Sequence, residues 1–101
     1  MAKLLIQFNH PADAAAFEEH YFNTHVPIFA ETPGIKGVSF SKGPISPLVG
    51  TADYFLIADV TFDSMAELRA GLASKPAQDA IADLPNFAEA GVTIMAYDTR
   101  D

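Results

Sequence analysis

Tyr54-Phe55-Leu56-Ile57-Ala58-Asp59-Val60-Thr61-Phe62 is the stretch on which the architecture turns. It is rich in β-branched and aromatic residues and apolar on both faces over its first half, which predicts a strand covered on both sides. Asp63-Ser64-Met65-Ala66-Glu67 follows as a capping box, in which the Ser64 hydroxyl can accept from the Glu67 amide while Glu67 reaches back. A helix opens there, with Met65, Leu68 and Leu72 inward. Ser74-Lys75-Pro76 restarts a short helix over residues 76–84, apolar at Ala77, Ile81 and Leu84 and ending near Pro85. Val92 to Tyr97 then reads as a strand.

Upstream, Gly43 to Asp53 is too long for a tight hairpin and short enough for a functional flap. Ile35 to Lys42 alternates, with Val38 and Phe40 on one face, and Pro33-Gly34 before it signals a turn. The first run, Leu4 to Asn9, sets Leu4, Ile6 and Phe8 on one face and Leu5, Gln7 and Asn9 on the other. Between them, Pro11 and an Asp13 in the first turn open a helix carrying Phe17, Tyr21, Thr24, His25 and Ile28 at spacings of three and four. Pro27 should break it or tighten its last turn. The order β-α-β-β-α-(α)-β in one domain over residues 1–101 is that of an α+β, ferredoxin-like fold, with a four-stranded antiparallel sheet covered by helices on one face. The opposite face would carry Leu5, Phe55, Ile57 and Met95. That is too apolar to leave wet, and it points to a homodimer through the sheet face.

Charge and composition narrow the partners. Thirteen acidic residues against six basic ones give a net charge of −7, so the clustered Lys and Arg that nucleic acid or an anionic membrane demands are missing. The 101 residues contain no cysteine, which excludes disulfides, thiolate metal sites and a cysteine nucleophile. Zero cysteine and the lack of a signal-peptide run suit the cytoplasm. No Gly-rich phosphate loop supports a dinucleotide, and no cofactor is expected.

Chemistry concentrates in His20-Tyr21-Phe22-Asn23-Thr24-His25-Val26-Pro27. On an ideal helix the two histidines sit about 140° apart, too far round to share a metal ion easily. Tyr21 and His25 lie on one flank of the inward direction set by Phe17 and Ile28, and His20 on the other. His25 is the first candidate for a general base and His20 the second, with Tyr21 as hydroxyl donor. The plainer readings are a half-exposed helix-edge His20 and a core His25 capping carbonyls at the helix end. Tyr54 and Tyr97 could orient a ligand or simply end their strands in water. Asn9 could do the same or form a turn. Phe22, Phe29 and Phe87 could wall an apolar pocket or pack the core.

The pattern His-Tyr-x-x-x-His-x-Pro, followed by Thr32-Pro33-Gly34, the Tyr54–Ser64 stretch and Asn86-Phe87-Ala88-Glu89-Ala90-Gly91-Val92, resembles the EthD family over nearly the whole chain. The resemblance implies a dimeric α+β barrel with a pocket between sheet and helices in each subunit. Related folds act as cofactor-free isomerases, cyclases and monooxygenases. Two functions follow as expectations. One is cofactor-independent acid–base chemistry on a small aromatic, lactone or ketide-like molecule. The other is non-catalytic sheltering of an apolar catabolic intermediate.

Overall fold

The computed structural model describes residues 1–100 of the chain. Four strands, β1 (Ala2–Phe8), β2 (Ile35–Phe40), β3 (Leu56–Phe62) and β4 (Val92–Asp98), form one antiparallel sheet in the order β2-β3-β1-β4. Four α-helical segments lie on one side of it: α1 (Ala14–His20), α2 (Val26–Phe29), α3 (Met65–Leu72) and α4 (Lys75–Asp83). This is the ferredoxin-like arrangement that the order of the periodic segments predicts. Among the described residues, no helix is long and apolar enough to cross a membrane.

Register follows from the alternation of side chains along each strand. Ala2, Leu4, Ile6 and Phe8 pair with Phe62, Val60, Ala58 and Leu56, and none of these eight is more than 9 % exposed. They form the floor of the core under Phe17, Tyr21, Leu68 and Phe87. The outer face carries the odd residues, with Leu5 between Asp59 and Met95, and Gln7 between Ile57 and Thr93. Lys3 anchors a polar corner there, donating to the Thr61 hydroxyl at 2.8 Å and pairing with Asp59 at 3.3 Å.

Three local expectations are corrected. The central strand starts at Leu56, so Phe55 escapes the pleat and packs edge-on against Phe17 at 5.1 Å instead of joining the outer face. Asp13 caps α1 from outside, its carboxylate accepting from the Ala16 amide at 3.1 Å. Ile81 is exposed, because α4 buries Ala77, Ala80 and Asp83 where it packs against α2.

Gly71 lets α3 approach the Thr32–Pro33 turn. A Cβ there would lie 2.8 Å from the Pro33 carbonyl oxygen and 3.0 Å from the Phe62 ring. Backbone and a buried ring cannot give way cheaply. Gly71→Ala should therefore destabilise the protein by about 1–3 kcal/mol in urea melts, despite the better helix propensity of alanine.

Candidate functional site

The helical segment from Ala14 to Phe29 does not break at Pro27. Tyr21–His25 forms a π-helical turn, and the Val26 amide donates to the Tyr21 carbonyl five residues back. Proline explains it. Pro27 has no N–H, and in a continuous α-helix its ring would meet the Asn23 carbonyl. The wider turn relieves that clash and lets the chain continue as α2. It also changes the phase of the side chains. Residues five apart now come round to the same side, so His20 and His25 are not splayed as on an ideal helix.

Both imidazoles meet one carboxylate. His20 Nε2 lies 3.0 and 2.9 Å from the two oxygens of Asp83, and His25 Nδ1 lies 3.1 Å from Oδ2. The Asn86 side-chain amide donates to Oδ1 at 3.0 Å. Asp83 and His25 are buried, whereas the His20 side chain keeps 30 % of its surface. Phe87 packs on both rings, at 5.1 Å from His20 and 4.7 Å from His25, and Tyr21 stacks on His25 at 5.5 Å. Among the described residues, no group of three His, Cys, Asp or Glu side chains is arranged to hold a metal ion.

Burial lowers the His25 pKa, against the hydrogen bond and charge of Asp83, which raise it. Burial alone would raise the Asp83 carboxyl, but bonds from Asn86, His20 and His25 outweigh it and leave the group below its ordinary value. Tyr21 is raised by burial and stays a neutral phenol. Both downward shifts mean that the unfolded chain binds more protons than the native state, so stability rises with pH across them. The part due to His25 is present above its ordinary 6.5 and lost as pH falls through the native value. The part due to Asp83 is present above 3.8 and lost at still lower pH. Thermal melts should show the midpoint falling as pH drops below 6.5 and again below 3.8, and His25→Gln should remove the first fall.

A cavity of about 220 Å³ lies between the Tyr21–Ala30 segment and the sheet, lined by Tyr21, His25, Phe29, Val38, Phe40 and Val60, with Ile6 and Ala58 beneath. A smaller recess of about 60 Å³, walled by Leu72, Ile81, Leu84 and Ile94, also borders His25. His20 does not line the cavity but borders a broad surface depression shared with Pro11, Asp13, Asn86 and Glu89. Asp83 thus stands between a histidine at the cavity and one at the surface. Of the remaining candidates, Phe29 lines the cavity and Phe87 backs the histidines. Phe22 stands beyond Tyr21, edge-on to it and to Phe40. Asn9 and Tyr54 are not among the lining residues, and Asn9 binds the Ala90 carbonyl at 3.0 Å. No residue of the 43–53 loop lines it either, although Leu48 and Val49 at the loop tip are almost wholly exposed.

Asp83 escaped the sequence reading. Its signal was an acid three residues past Ala80 on the apolar phase of α4, with Asn86 three further on.

The EthD domain model matches residues 9–91. An 11.0 kDa protein from the thcB-thcC intergenic region of Rhodococcus erythropolis is 40 % identical, spanning 97 % of this chain and 94 % of its own. The crystal structure of an EthD family protein from Bacillus halodurans superposes with a TM-score of 0.87 at 28 % identity, covering 99 % of each chain. SnoaB, a cofactor-independent oxygenase from Streptomyces nogalater, shares the fold with a TM-score of 0.70 at 15 % identity, over 99 % of this chain and 93 % of its own.

Proposed function

The chain belongs to the EthD family, and on that premise we propose that it performs cofactor-independent acid–base chemistry on a small apolar metabolite in the cytoplasm. One observation carries the reading. His25 forms part of an apolar cavity wall, has one ring nitrogen held by a carboxylate, and has no hydrogen-bond partner for the other among the described residues. A base so placed can take a proton from a phenol or a C–H acid. Tyr21, neutral and lining the same cavity, can donate to the oxyanion that forms. That a cofactor-independent oxygenase is built on this fold supports the absence of a cofactor from the scheme.

Size sets the substrate class. An apolar cavity of about 150 Å³ accommodates benzene, so 220 Å³ suits one ring with a short substituent. Phenols, small lactones and β-dicarbonyls are the compounds to screen for turnover. Tight binding of such rings without turnover would make the protein a carrier instead.

The working unit is a homodimer closed through the outer sheet face. Leu5, Ile57, Met95 and Tyr97 share that face, and Met95 and Tyr97 are each more than 40 % exposed in the single chain. Solved proteins with this fold include a dimeric ferredoxin-like protein from Thermobifida fusca.

A further inference from the structure

We propose that Asp83 is a positioning residue that makes His25 a directed base, and that His20 and Asn86 serve it by holding the carboxylate in register. The inference rests on the reading of His25 as the base.

An ionised carboxylate only accepts hydrogen bonds. The 3.1 Å contact therefore places the hydrogen of neutral His25 on Nδ1 and the lone pair on Nε2. Free imidazole has no such constraint. A buried carboxylate needs partners for its lone pairs, and Asp83 has three, from α1, from the π-helical turn and from the residues just after α4. Nothing in the packing of α4 asks for an acid there, since its neighbours on the same phase are Ala77 and Ala80. The groups able to carry charge around His25 are Asp83, His20 and Tyr21. The strands beneath the cavity contribute Ile6, Ala58 and Val60, and α3 contributes Leu72 to the recess, all apolar. The nearest full negative charge to a protonated His25 is thus Asp83.

The step balances simply. A substrate O–H or C–H proton moves to His25 Nε2 and its electron pair stays on the substrate. The imidazolium keeps Nδ1–H on the Asp83 carboxylate, and no electrons leave the site. Asp83 remains ionised throughout, as the carboxylate of a Ser-His-Asp triad does.

Long-range 15N–1H NMR of the histidine rings in the ligand-free protein tests this without any substrate. His25 should be the Nδ1–H tautomer in the wild type. Asp83→Ala, which matches the alanines on its helix face, should convert it mainly to Nε2–H and lower its pKa further. Once a turned-over compound is found, the same variant should lose about 10²–10⁴-fold in kcat with little change in KM. A wild-type His25 carrying its hydrogen on Nε2 would overturn the proposal, and this reading stands even if the variant fails to fold. So would a folded Asp83→Ala protein with unchanged tautomer or kcat. The Nδ1–H tautomer in a protein that turns over no compound would instead retire the catalytic reading and leave the positioning intact.

Discussion

His25→Ala is expected to lower turnover by about 10²–10⁴-fold while the protein stays folded. On the proposed reading, loss of the base removes only the proton transfer, and the apolar cavity walls remain. The fold should survive because Asp83 keeps His20 and Asn86 as partners when His25 goes, so no carboxylate is left buried and bare. The missing ring enlarges a space already bounded by the cavity and the recess beside it. Tyr21→Phe should cost less, because a lost hydroxyl leaves the base in place. Rates and melting temperatures of both variants, measured together, separate the alternatives. Unchanged turnover with a large fall in melting temperature would make His25 a core residue and nothing more.

Ile57→Asp should raise the dimer dissociation constant by about 10²–10³-fold, equivalent to roughly 3–4 kcal/mol. Ile57 sits in the middle of the outer face, opposite Gln7 and one pleat from Asp59. A carboxylate there would lose water when a second copy covers the face, and its nearest charged neighbour on the strand has the same sign. Each chain already carries −7, so association gains nothing from one more acid. Sedimentation or light scattering should find the wild type at twice 10.8 kDa and the variant near the single-chain mass. A wild-type mass of one chain at micromolar concentration would remove the dimer altogether.

The cap at Ser64 shows how much of the fold was legible locally. Its hydroxyl accepts from the Glu67 amide at 3.1 Å, and α3 begins there. The Glu67 side chain does not make the reciprocal bond of a full capping box. The parity of β1 was equally plain, since alternation of side chains decides which face meets the helices, whereas β3, apolar on both faces over its first half, took its parity from its pairing with β1. The Tyr54–Phe55 end of the strand was less so, because composition marks a strand's middle better than its edge.

The site divides differently. Local sequence singled out His20, Tyr21 and His25, and with Pro27 it held the cause of the π-helical turn as well. Ideal helical geometry nonetheless set the two histidines apart, and the energy that chooses a wider turn over a break is settled by what the following residues pack against. Asp83 lies 58 residues from His25. No periodicity within either helix encodes that pairing, because it depends on α4 crossing α2 at a distance its small residues permit. The sequence alone determined the order of the elements, the two faces of β1 and the cap of α3, since those depend on neighbours within a few residues. Only the tertiary structure decided that two histidines share one buried carboxylate beside a cavity, because contacts of that kind are made between segments that local propensity never compares.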